Sequence, residues 1–210
     1  MSDKQLSWKY AEELIIEPEN IALARQHSLE LGVDAVTPAM GAQLAVLAAA
    51  TAAQTIIEVG TGVGVSGLWL LSGSPDAVLT TIDSEADHHQ VARKAFVDAG
   101  IAANRTRLIG GRAGDVLPRM NEASYDIAFI DADPAAVIEY VEHGLRMVRR
   151  GGTVVVAHAL WRGRVADPAQ RDDVVTNFRL LLKETSTSDA VISALSPVGD
   201  GLLMLTKVSD

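Results

Sequence analysis

The side chains able to do chemistry sit where short apolar runs end. The first group is Glu58-Val59-Gly60-Thr61-Gly62-Val63-Gly64-Val65-Ser66, directly after the run TII. Gly60 and Gly62 let a backbone turn sharply and approach a ligand closely. Glu58 places a carboxylate at the end of the run, which would repel a pyrophosphate but suits an ammonium or a structural hydrogen-bond network. Ser66, at the expected helix start, can bond a carboxylate near the positive helix end. The spacing is not that of a dinucleotide site, because the third glycine is due at Val65 and Gly64 arrives one place early. Nor is it a P-loop, since no Gly-Lys-Ser/Thr follows.

Asp83 ends the next run, AVLTTID, 23 residues beyond Gly60. An acid there can accept both hydroxyls of a ribose. The alternative is a helix cap, because Asp83 or Ser84 ahead of Asp87 resembles a capping arrangement. The turn and the acid together point to a nucleoside cofactor. Glu58 favours one with an amino-acid end, S-adenosylmethionine.

These groups need a sheet to hold them. TIIEVG, AVLTTID, TRLIG, DIAFID and GTVVVA are short and rich in Val, Ile or Leu, and helical stretches separate them. Helices are expected over 84–99 and 134–150, with Pro134 in a first turn. Strand–helix alternation implies a parallel sheet covered on both faces. A further helix is expected over 167–184. AVISAL and GLLMLTK then flank a turn containing Pro197, Gly199, Asp200 and Gly201, which suits an antiparallel hairpin. Residues 1–50 read as helical, broken at Val36-Thr37-Pro38, where Thr37 can cap and Pro38 can start a helix. The expectation is an α/β fold in one domain over 1–210, with 1–35 as a helical cap.

Composition bounds the remaining choices. The chain has 210 residues, 48% hydrophobic, with no cysteine. Disulfides, thiolate nucleophiles and Cys-ligated metals are thereby excluded. A chain of this length buries roughly 70% of its extended surface, enough for a core without such staples. The net charge of -9 disfavours nucleic acid and anionic membranes as partners. No 18-residue apolar run offers a membrane span, and the start lacks the basic and apolar regions of a secretory signal. A cytoplasmic location is expected.

The chain resembles the class I S-adenosylmethionine-dependent methyltransferases, and more narrowly the catechol and caffeoyl-CoA O-methyltransferase family. The matching pieces are VTPAMGAQL, IIEVGTGVGVSGLWL, LTTIDSEADHHQVARKAF, GRAGDVLPRM, YDIAFIDAD, HALWRGRV and SPVGDGLLMLTK, spread over about 33–207. The resemblance implies a Rossmann-like methyltransferase fold with a seven-stranded, mostly parallel sheet and a C-terminal antiparallel hairpin. It also implies a site in which Val36 and Thr37 cover the sulfonium and Glu58 contacts the amino-acid ammonium. Gly60 would run beside the methionyl chain, Ser66 would meet the carboxylate and Asp83 would hold the ribose. Gly111, Arg112 and Ala113 would edge the adenine, although Ala113-Gly114 can equally be a plain helix entry. Asp131 would face the methionyl amine. Members are often dimers, and a homodimer is expected.

Two features of that family are missing. Its divalent-metal motif after the fifth strand is an Asp-Asn pair, and Ala157-His158 stands there. Its lysine, three residues after the first acid of the Asp131-Ala132-Asp133 segment, is replaced by Pro134. Hard cations prefer oxygen ligands, so no metal is expected. The reading that remains is methyl transfer to a hydroxyl of a small molecule without an obligatory divalent ion. His158 is the first candidate base and Asp133 the second; alternatively, His158 merely bonds Asp131. Trp161 either stacks on an acceptor or packs under the following helix, and Arg162 and Arg164 can attract an acidic acceptor. His27, His88, His89 and His143 fall on expected helices away from strand ends. The competing readings are a non-enzymatic cofactor-binding protein and, less favoured by Val65 and Glu58, a nicotinamide-dependent reductase.

Overall fold

The computed structural model describes residues 3–209, so residues 1, 2 and 210 of the expected domain lie outside it. Seven strands form one sheet: β1 (Thr55–Val59), β2 (Val78–Asp83), β3 (Thr106–Gly110), β4 (Tyr125–Ile130), β5 (Val148–Val156), β6 (Val191–Ser196) and β7 (Leu202–Lys207). Their order is β3-β2-β1-β4-β5-β7-β6. The first five are parallel, while β7 runs antiparallel between β5 and β6. The sheet is therefore mixed, with the expected hairpin at one edge.

Alternation along each strand sends side chains to two separate cores. Ile56, Leu79, Ile127, Phe129 and Val155 pack on one face against α2 (Glu19–Leu31), α3 (Pro38–Ala50), α4 (Val65–Gly73) and α5 (Ala86–Asp98). Ile57, Val59, Ala128, Ile130, Val154 and Val156 pack on the other against α6 (Ala113–Val116), α7 (Val137–Met147) and α8 (Asp173–Thr187). Each fully buried Ile or Phe contributes about 1.5–3 kcal/mol. The alanine-rich α3 lies close to α4: a Cβ on Gly41 would fall 2.2 Å from the Trp69 indole. Residues 3–31 form α1 (Asp3–Glu13) and α2, and α2 packs on α4 and α5. Among the described residues no helix is long and apolar enough to cross a membrane.

Several expected boundaries move. Thr37 does cap α3, its hydroxyl accepting from the Met40 amide at 3.3 Å with Pro38 in the first turn. The 134–150 helix is instead a 3-10 turn at Pro134–Ala136, then α7, with Val148 already in β5 opposite Tyr125. The 167–184 helix begins only at Asp173, because Asp172 caps it by accepting from the Val175 amide at 3.3 Å.

The strands are pinned at their amino ends by Asp126, only 7% exposed. Its Oδ2 accepts from the Gln54 and Thr55 amides at 2.7 and 2.9 Å, and its Oδ1 from Arg149 Nε at 2.6 Å. Burial opposes its charge, but these amides and the guanidinium outweigh burial and hold the carboxyl below its ordinary range. The folded state thus favours the ionised form, so the stabilisation is present above the ordinary carboxylate pKa and is lost as pH falls through the folded value. Asp126→Ala should lower unfolding stability in denaturant by about 1.5–3 kcal/mol at neutral pH, with the deficit shrinking in acid. An equal deficit at acid and neutral pH would show that the charge is not what matters.

Candidate active site

β1 lies between β2 and β4, and the chain connects onward to opposite sides of it, so a crevice opens beyond its carboxyl end. Gly60 forms its floor. Its amide donates to the Ile82 carbonyl at 2.8 Å, while the Asp131 amide donates back to the Val59 carbonyl at 2.8 Å. The φ of Gly60 is +97°, and a Cβ there would lie 1.8 Å from the Asp131 carbonyl oxygen. Only glycine satisfies both conditions. Gly62 and Gly64 also have positive φ, of 48° and 92°.

The turn is locked from β2. Asp83 Oδ2 accepts from the Gly62 amide at 2.9 Å and Oδ1 from the Glu85 amide at 2.9 Å. Asp83 therefore braces the turn and lines the cleft, while α5 begins after Glu85 with no side-chain cap. The cleft has a volume of about 720 Å³. Nine of the expected residues line it: Val36, Gly60, Ser66, Asp83, Gly111, Arg112, Ala113, Asp131 and Asp133. Gly111 follows β3, and its amide donates to the Asp83 carbonyl at 2.9 Å, which brings the 111–113 segment beside Asp83.

Three expected site residues do not line the cleft. Thr37 is turned into the α3 cap. Glu58 is 0% exposed and lies behind the turn, correcting its expected contact with a cofactor ammonium. Its register opposite Thr81 on β2 explains its partners. Thr81 donates to Oε2 and Ser66 to Oε1, each at 2.6 Å, and Thr61 lies 2.7 Å from the Thr81 hydroxyl. Burial, only partly offset by these two donors and reinforced by Asp131 and Asp83, pushes the Glu58 carboxyl up to about 7.

His158 is the third. It follows β5 at φ +56°, with Nε2 3.5 Å from Asp131 Oδ1 and Nδ1 3.5 Å from Asp200 Oδ2. It therefore adjoins the cleft through Asp131. Burial raises the Asp131 pKa, opposed by His158 and reinforced by Asp34. Asp133 lines the cleft, yet its Oδ1 accepts from the Ala135 amide at 3.0 Å and caps the 3-10 turn.

The donor set does not fit the divalent ion that the resemblance implies. Ala157 offers no side-chain donor. The two carboxylates beside His158 address opposite ring nitrogens, so they do not converge on one point. Among the described residues no group of three His, Cys, Asp or Glu side chains is arranged as a metal site.

The loop after β5 resolves the open alternatives. Trp161 stacks on Phe178 of α8, with centroids 5.8 Å apart, so it packs under the helix rather than waiting for an acceptor. Arg162 pairs with Asp34 at 2.7 Å and Arg164 with Asp172 at 2.6 Å, so both guanidiniums already have carboxylate partners. His88 is a correction: it lines the cleft, with Nδ1 3.4 Å from Asp83. Sequence reasoning also missed Asp34, Tyr140 and Asp200. Tyr140 was legible as the polar-tipped member of the apolar α7 stripe, whereas Asp200 read only as a turn residue.

Comparison with known proteins agrees with this geometry. The O-methyltransferase family pattern matches residues 13–208. A Mycobacterium marinum protein named as an O-methyltransferase is 48% identical over 207 residues, covering 98% of this chain and 92% of the relative. A solved structure from Corynebacterium glutamicum superimposes with a TM-score of 0.90 at 28% identity, covering 100% of this chain and 99% of that one. The O-methyltransferase TomG of Streptomyces achromogenes, solved in complex with S-adenosylmethionine, gives a TM-score of 0.85 at 29% identity over 100% of both chains. With a family match over nearly its whole length and a relative 48% identical across 98% of it, this chain belongs to the O-methyltransferase family.

Proposed function

We propose that this protein transfers a methyl group from S-adenosylmethionine to a hydroxyl of a small molecule, without an obligatory divalent metal. The observation that carries the reading is the crevice in which the Gly60 turn, Ser66, Asp83 and Asp131 line one cavity. Asp83 keeps acceptor capacity for ribose hydroxyls beyond its two amide bonds, since an ionised carboxylate has about four lone-pair sites. Gly111, Arg112 and Ala113 edge the adenine, Val36 covers the sulfonium side, Asp131 faces the amine and Ser66 meets the carboxylate. Thr37 acts by holding the helix start behind Val36. The cofactor supplies a methyl group on a cationic sulfur leaving group.

The residues of the chain then have two tasks. One is alignment, because a fixed near-attack geometry supplies much of the catalysis in a displacement at carbon. The other is removal of the acceptor proton as the oxygen–methyl bond forms. His158 is the base of this reading, its ring nitrogens lying 3.5 Å from Asp131 and from Asp200 at the end of β5. Asp133 is the second candidate. The metal-independence rests on Ala157 and on the opposed carboxylates at His158. The net charge of -9 disfavours nucleic acid and anionic membranes as partners, and a cytoplasmic location belongs to the same proposal.

A homodimer completes the reading. Trp8, Tyr10, Leu14 and Ile16 are 51%, 70%, 61% and 91% exposed along α1 and the loop after it, and a second copy would cover them. Light scattering should then report two chains per particle; a single chain would remove this part.

Calorimetry should show binding of S-adenosylmethionine and S-adenosylhomocysteine and none of NADH. Asp83→Ala should weaken homocysteine-product binding by about 1.5–3 kcal/mol, roughly 10- to 150-fold. Tight NADH binding would overturn the cofactor reading. With a panel of phenolic and hydroxylated acceptors, turnover should be the same with magnesium and with a chelator. His158→Ala should lower kcat by about 10²–10⁴-fold. Activity that requires magnesium would overturn metal-independence, and an unchanged rate in both His158→Ala and Asp133→Ala would overturn the base assignment.

A further inference from the structure

On the reading that Ser66 meets the cofactor carboxylate, on which this inference rests, the protons available at Ser66 decide what that carboxylate finds. Ser66 has a single hydroxyl proton. Its Oγ lies 2.6 Å from Glu58 Oε1, and Thr81 Oγ1 lies 2.6 Å from Oε2. An ionised Glu58 only accepts, so both hydroxyls must then donate inward. Ser66 would present only lone pairs to the cleft, and a carboxylate arriving there would meet them without a hydrogen. A proton on Oε1 reverses one bond. The acid O–H donates to Ser66, the Ser66 proton is free for the cleft, and the Thr81 bond to Oε2 is unchanged. Thr61, whose oxygen lies 2.7 Å from that of Thr81, needs no rearrangement either.

We propose that Glu58 is a positioning residue that must hold a proton for the amino-acid carboxylate to bind at Ser66, so that cofactor binding takes up a proton at this site. The surroundings of Glu58 favour its neutral form. It is fully buried, its neighbour across β4 is Phe129, and its neighbours on β2 and α4 are the neutral Thr81 and Ser66. The charged groups facing it are Asp131 after β4 and Asp83 at the end of β2, both acids. With the carboxyl pushed up to about 7, the proton is exchangeable at neutral pH. The sign follows directly: Glu58 is neutral below that value and loses the proton above it, so binding weakens as pH rises.

The test is titration calorimetry of the whole protein with S-adenosylhomocysteine near pH 7.5, in two buffers of different ionisation enthalpy. Net proton uptake is expected. The same ligand lacking its carboxylate should bind without uptake. The dissociation constant should rise about tenfold between pH 6 and pH 8. Glu58→Gln copies the protonated acid, its amide donating to Ser66 and its carbonyl accepting from Thr81, so its affinity should be flat over that range. Binding without uptake, or a Glu58→Gln variant with the original pH slope, overturns the inference and leaves the cofactor reading standing. Failure of the unmodified protein to bind S-adenosylhomocysteine overturns both. Should Glu58→Gln fail to fold, the proton count and the decarboxylated ligand still decide.

Discussion

The contact between the end of β1 and the end of β4 sets the rest of the site. Gly60 and the Asp131 carbonyl are so close that a single added carbon would overlap the oxygen. That approach is possible because β1 and β4 are adjacent parallel strands joined by the Asp131 amide donating to the Val59 carbonyl, while on the other side of β1 the Gly60 amide donates to Ile82 of β2. Once the turn is held there, Gly62 presents its amide to Asp83, and the Asp83 carbonyl holds Gly111. Four strand ends, those of β1 to β4, are thereby brought to one cleft by backbone bonds and the Asp83 carboxylate. Precision in such a site comes from the sheet, which moves little, rather than from the loops that border it.

Behind this floor the fold carries an expensive group. A fully buried carboxylate without a cation is costly, and hydroxyl donors relieve only part of the penalty. Glu58 persists because Thr81 and Ser66 satisfy both oxygens and because neutralisation is within reach of ordinary pH. The carboxylate is also what connects the cleft wall to the sheet: Ser66 on α4 and Thr81 on β2 share it. Removing the charge leaves that connection intact, whereas removing the side chain would take the shared acceptor from both hydroxyls.

Much of the architecture was legible in the sequence because it depends on local pattern. Short β-branched runs, Pro38 after Thr37, and Gly-Pro punctuation around 197–201 specify strands, a capped helix and a hairpin within a few residues of each feature. Among the nine cleft residues, Gly60, Ser66 and Asp83 follow from strand ends, which the same pattern locates, while Gly111, Arg112, Ala113 and Asp131 came with the family resemblance. What stayed hidden depends on register and on distant packing. The pairing of Glu58 with Thr81 is set by how β1 aligns with β2, so the sequence placed Glu58 in the cleft when the sheet places it behind. Trp161 is claimed by Phe178 through the position of α8. Asp200 reaches His158 only because β7 inserts between β5 and β6. His88 looked remote because it lies on a helix, yet in the first turn of α5 it comes within 3.4 Å of Asp83.

The end of β5 keeps its backbone frame while its side chains differ from the pattern that the family resemblance implies. Ala157 removes a donor at the sheet's carboxyl edge, yet the backbone bond from Ala157 to Ile130 is kept. His158 adopts a left-handed conformation uncommon for a side-chain-bearing residue, and the strain is held by its neighbours. Asp200 accepts the Arg162 amide at 2.5 and 2.6 Å, so the loop is closed on the β6–β7 turn whether or not any ion is near. An imidazole held between two acids cannot gather them around a cation, because its ring nitrogens point them apart.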